Sequence, residues 1–162
     1  MPRRRATLPA FAAAALTMAT TGNIPDVAHA DDAADLDEER RCLALTMYFE
    51  ARSEGLEGMR AVGAVVLNRV ESDLFPSTIC EVVHQGGETP PCQFSWWCDG
   101  KSDVPRDRAQ WELALRVAAE MLEDRGEDPT GGALFFHRSG IPMPWNVERT
   151  RTVEIHGHVY YR

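Results

Sequence analysis

No apolar run in this 162-residue chain reaches the roughly 20 residues needed to cross a bilayer as a helix, which excludes a polytopic membrane protein. Basic charge is also scarce, with 17 Lys and Arg against 25 Asp and Glu and a formal net charge of −8. Nucleic-acid binding needs a basic patch to meet phosphates, and none is visible. There is no C-x-x-C pair among Cys42, Cys80, Cys92 and Cys98, so a zinc ribbon or a thioredoxin-type redox site is a poor reading. There is no H-E-x-x-H motif either, and His84, His137, His156 and His158 therefore do not read as a metallo-amidase centre. Neither metal nor cofactor is expected. Internal repeats are lacking as well. What remains, 44% hydrophobic and 26% charged residues over this length, suits one globular domain with its own core.

The N-terminus carries Arg3-Arg4-Arg5, an apolar stretch from Leu8 to Ala19, and Ala28-His29-Ala30 with small residues where a signal peptidase reads. That order is a secretory signal peptide, with cleavage expected after Ala30. Export to the periplasm, or outside the cell in association with the wall, follows, with no stable membrane insertion after cleavage. Cleavage would remove Arg3, Arg4, Arg5 and Asp26 and move the net charge from −8 to −10. An even number of cysteines in an exported domain favours two disulfides. Four cysteines allow three pairings; the closeness of Cys92 to Cys98 suggests that pair, leaving Cys42 with Cys80.

Residues 31–41 read as an acidic, solvated leader, and residues 42–162 as the folded domain. Leu43, Met47 and Ala51 at i, i+4, i+8 predict an amphipathic helix from Arg40 to Ala51. Val62, Val65, Val66 and Val70 predict a second over 59–70, and Thr78 with Glu81 has capping-box spacing for a short third. Gln93 to Trp97 reads as a short strand, which would point Gln93 and Ser95 to one side. Trp111, Ala114, Leu115, Ala118, Met121 and Leu122 give the clearest helical stripe. Strands are expected over 133–137 and on both sides of a His156-Gly157 turn. Helices followed by a few strands imply an α+β domain.

Glu50 sits seven residues after Leu43 and three after Met47, near the buried face of the first helix. Burial disfavours the charged carboxylate and raises its pKa, as a general acid working near neutrality requires. The alternative is a helix-terminal glutamate paired with Arg52.

The ordered set Glu50-Ala-Arg-Ser-Glu54, Glu57-Gly58, Val65-Val66-Leu-Asn68-Arg69-Val70, Phe75-Pro76, Cys92-Gln93-Phe94-Ser95-Trp96, Ala133-Leu-Phe-Phe-His137, Trp145 and Ile155-His-Gly-His158-Val-Tyr-Tyr161 closely resembles the cell-wall hydrolase family of the spore-cortex-lytic (SleB/CwlJ-like) type. The resemblance implies a small lysozyme-like domain, several helices plus a short antiparallel sheet, that cuts peptidoglycan glycan strands. It puts the acid of a lytic transglycosylase on Glu50. A hydrolytic muramidase would need a second carboxylate, for which Glu54 is the candidate, otherwise a structural or orienting group. Gln93, Ser95, His137, Trp145 and His158 are the candidate substrate-binding residues. Each has a packing role as its alternative, and Asn68 and Arg69 are support or contact residues. Ser53 stands where the motif more often has glycine. A catalytically silent peptidoglycan-binding module is the rival reading. The acidic charge gives no attraction to a wall that itself carries carboxylates, which points to local groove chemistry and to gating by an activator protein.

Overall fold

The computed structural model describes residues 27–142, 145 and 148–162, among which the order is α1 (Val27–Ala51), α2 (Gly55–Val70), α3 (Ile79–Val83), α4 (Ser95–Cys98), α5 (Arg108–Glu123), β1 (Phe135–Arg138), β2 (Arg151–Ile155) and β3 (His158–Tyr161). The expected export signal lies outside these residues except for its last four. The expected stripes bury as amphipathic periodicity requires. Leu43, Met47 and Tyr48 of α1, Met59, Val62 and Val66 of α2, and Ala114, Val117, Ala118 and Met121 of α5 form one core. Where the three helices meet, Gly63 leaves room for two methionines: a Cβ there would fall 2.2 Å from Met47 Cε and 3.1 Å from Met121 Sδ.

α2 is buried on a second side as well. Ala61 and Val65 pack on Ala133, Ile155 and Tyr160, so this helix separates the helical core from the sheet. The sheet has the order β1-β3-β2 and is antiparallel throughout, with Phe136 opposite Tyr160 and Ile155 opposite His158. The β2–β3 turn falls at the expected His156-Gly157, and His156 takes a left-handed φ of 48°. The last turn of α2 holds the approach to the sheet. Asn68 Nδ2 donates to Ala133 O at 2.8 Å and to Asp128 Oδ2 at 3.1 Å. Asp128 in turn accepts from the amides of Thr130 at 2.8 Å and Gly132 at 2.7 Å.

Two local expectations are corrected. The acidic stretch 31–39 is not a loose leader into a helix beginning at Arg40, because α1 already runs through it from Val27. Its alanines favour helix, and exposure of a polar segment does not oppose helicity. Glu39 even has a task there, accepting from the amides of Ile79 at 2.6 Å and Cys80 at 3.3 Å at the start of α3.

The second correction concerns Gln93 to Trp97, which do not form a strand. Cys92 and Cys98 are bonded, with Cα atoms 6.2 Å apart, and Ser95–Cys98 is a helical turn. Six residues of strand would hold those Cα atoms about 20 Å apart, beyond any disulfide. The expected strand and the expected bond exclude each other, and the bond prevails. The other expected pair, Cys42 with Cys80, is also bonded and ties α1 to α3.

Candidate active site

Glu50 lies in the last turn of α1, on the wall of a cleft of about 860 Å³ between the helices and the sheet. Glu54, Arg69, Gln93, Ser95, Trp145 and His158 also line it. Burial pushes the Glu50 carboxyl up from 4.5 to about 7, with the positive charge of Arg69 opposing the rise. Burial is the larger effect, so the group is poised to give up or take a proton near neutrality.

Arg69 is the least expected member of the site. It continues the Val62, Val66 stripe of α2 and is only 1% exposed. Its Nε donates to Leu134 O at 2.8 Å, and the Gln93 amide, turned so that its oxygen faces the guanidinium, accepts from both amino groups at 3.1 Å. Phe75, Phe94 and Phe135 surround it, with ring centroids 5.1, 5.4 and 5.8 Å away. Burial lowers its pKa to about 10, and Glu50 counters that fall. It remains a cation at any physiological pH. The sequence offered one signal for this role, an arginine at an apolar position of a helix, beyond its match to the family's N-R-V.

Glu54 does not sit on a continuation of α1, which ends at Ala51; it is the residue immediately before α2. Its carboxylate nevertheless reaches the cleft and is fully engaged there. One oxygen accepts from Gly157 N at 3.2 Å, and His158 Nδ1 stands 3.1 and 3.2 Å from the two oxygens. Glycines make the slot. A Cβ on Gly58 would come within 2.7 Å of Oε2, and one on Gly157 within 2.7 Å of Oε1. Ser53 causes no strain in this turn, since the left-handed residue is Gly55, with φ 66°.

The remaining expected residues divide. Ser95 begins α4 and is exposed on the cleft wall, and Gln93 reaches the cleft from the preceding loop rather than from a strand. His137 also lines the cleft and is held by the sheet: Nδ1 lies 2.8 Å from Arg138 O, Nε2 lies 2.9 Å from Tyr161 Oη, and its ring stacks on Tyr161. Trp145 packs edge-on against Phe135, His137 and Tyr161 and borders the cleft. In the core behind the sheet, the Tyr160 hydroxyl is buried without a partner among the described residues, and burial together with Glu54 and Glu50 holds it protonated. Among the described residues no cluster of His, Cys, Asp and Glu could hold a metal ion.

A small α+β domain with a buried acid on the wall of an open cleft is the arrangement that comparison with known proteins places in a family. The family model described as Cell Wall Hydrolase matches residues 53–161, and the chain belongs to that family. Glu50 stands three residues before the matched span. The chain is 31% identical over 125 residues to the spore cortex-lytic enzyme of Halalkalibacterium halodurans, an alignment covering 76% of this chain and 34% of that protein. It thus spans about a third of the length of that relative. The crystal structure of the catalytic domain of the Bacillus cereus SleB protein superposes with a TM-score of 0.59 at 28% identity, covering 78% of this chain and 91% of that one. The catalytic domain of the germination-specific lytic transglycosylase SleB from Bacillus anthracis does so with the same score and identity, covering 76% and 93%.

Proposed function

We propose that this protein is an exported lytic transglycosylase that cuts peptidoglycan glycan strands between N-acetylmuramic acid and N-acetylglucosamine, with Glu50 as the general acid and then the general base. The observation that carries this reading is Glu50 on the cleft wall, whose carboxyl burial pushes up to about 7. Protonated Glu50 donates to the glycosidic oxygen as the bond to the muramic C1 breaks. The leaving sugar departs with that proton, and positive charge develops at C1. The resulting carboxylate takes the proton of the muramic 6-hydroxyl, whose oxygen closes on C1 to give a 1,6-anhydro ring. Glu50 is protonated again at the end, and no water is consumed. The nearby Arg69 cation favours the carboxylate form reached midway. The Bacillus anthracis neighbour, a germination-specific lytic transglycosylase, supports the same outcome.

A hydrolytic muramidase is the second reading, since Glu54 lines the same cleft. Inversion or retention needs that carboxylate free to activate water or attack C1. Its bonds to Gly157 and His158 instead suit it to fixing the sheet turn and the His158 tautomer.

Digestion of purified peptidoglycan, with products weighed by mass spectrometry, tests this. Muropeptides one water lighter than reducing ends are expected, and Glu50→Gln should slow their release by about 100- to 10,000-fold, the usual worth of a general acid. Reducing-end products would establish the hydrolase instead. Binding with no cleavage by the unmutated protein would leave a silent wall-binding module.

A further inference from the structure

Beyond the far side of the last turn of α1 from Glu50 lies a second hollow of about 410 Å³. Tyr48 and Phe49 form its apolar wall, and Arg52, Lys101, Ser102 and Arg106 bring polar and cationic groups to it. The hollow is built rather than incidental. The Tyr48 hydroxyl accepts from the amides of Arg106 at 3.0 Å and Asp107 at 2.9 Å, pinning the 101–107 loop to α1. A smaller hollow of about 220 Å³ shares Phe49, Arg52 and Lys101 and extends to Trp96. Phe49 stacks on Trp96 at 5.0 Å between centroids, and their chain neighbours Glu50 and Ser95 line the main cleft.

The charges here are unequally occupied. Asp99 is taken up by the amide and ammonium of Lys101, each at 2.9 Å, and Asp107 caps α5 by accepting from Gln110 N at 3.1 Å. Burial and the nearby Asp99 raise the Asp103 carboxyl above its ordinary value, with His84 opposing. Arg52 lies 5.2 Å from the Tyr48 ring centroid, and neither it nor Arg106 has an ion pair among the described residues. Two uncommitted guanidiniums on one hollow stand out in a chain with a net charge of −8.

We propose that this hollow is a subsite for the carboxylates of a peptidoglycan stem peptide, borne by a muramic residue next to the one being cut. The inference deepens the glycan-cleaving reading and rests on it. Guanidinium forks match carboxylates, the aromatic wall accepts the alkyl parts of a stem, and the site offsets locally the repulsion between an acidic protein and an acidic wall. Exposed Val104 adds apolar surface at the rim.

The test compares two substrates with the full chain: stem-bearing glycan strands, and the same strands stripped of stems by an amidase. The unmutated protein should cut stem-bearing strands the faster, and Arg52→Gln with Arg106→Gln should lower kcat/KM on them by about tenfold or more. The double variant should change the rate on bare strands by less than about twofold, and Arg52→Lys with Arg106→Lys should recover part of the loss. Equal losses on both substrates, or no loss on either, overturn the subsite. If the unmutated protein cuts neither substrate, the glycan-cleaving reading fails by itself. The subsite is then decided by calorimetry with a free stem tetrapeptide: binding lost in the double Gln variant supports it, and no binding to the unmutated protein overturns it.

Discussion

At the residue scale, Glu50 ties activity to stability. Below about pH 4.5 its carboxyl is protonated whether the chain is folded or not. Between 4.5 and 7 the unfolded chain ionises it and the folded protein does not, so folding loses stability through that window and levels off above it. Allowing for partial solvent access, the loss is about 2 kcal/mol. Glu50→Gln has no charge to bury, so urea unfolding should show it more stable than the unmutated protein by about that amount at pH 8, with little difference at pH 4. Equal stability at pH 8 would mean that the group ionises normally. The same position of the acid implies that kcat/KM falls about tenfold per pH unit above 7, where the donor form runs out.

At the scale of the element, α4 and the loop before it are one covalent ring that brings four residues to the cleft, Gln93 and Ser95 among them. Closing six residues is worth about 2 kcal/mol in chain entropy. Cys92→Ser with Cys98→Ser should lower stability by that amount and lower activity by more than the stability loss accounts for. Gln93 would lose its fixed reach to Arg69, and Ser95 its place on the wall. Thermal unfolding alongside kcat/KM on stem-bearing strands separates the two effects. An activity loss that vanishes when rates are compared at equal folded fraction would show the ring to be structural only.

At the scale of the whole molecule, the Cys42–Cys80 bond does different work. It joins the long first helix to α3 across 38 residues, and the loop-entropy relation puts its worth at about 4 kcal/mol. Cys42→Ser with Cys80→Ser should therefore shift the global urea midpoint roughly twice as far as loss of the Cys92–Cys98 ring. A smaller shift for this pair than for the ring would contradict that ordering. α2 shares its two faces between the helical core and the sheet, so a loosening of the helices reaches the cleft through Asn68 and Arg69.

The sequence by itself determined what depends on local pattern. Apolar stripes on α1, α2 and α5, the Thr78–Glu81 pair at the start of α3, and the His156-Gly157 turn all follow from spacing and propensity. Motif order carried the family, and simple proximity suggested the cysteine pairs. Reading Gln93 to Trp97 as a strand failed because a covalent link between its ends outranks local preference for extended chain. The acidic stretch before Arg40 was misread because solvent exposure says nothing about backbone form. Only the tertiary structure decided how the ionisable groups are occupied. Glu54 is engaged by a turn more than a hundred residues away, Arg69 is buried among three aromatic rings, and Arg52 and Arg106 meet on one hollow. Desolvation and hydrogen bonding across such distances come from packing, and no window of sequence contains them.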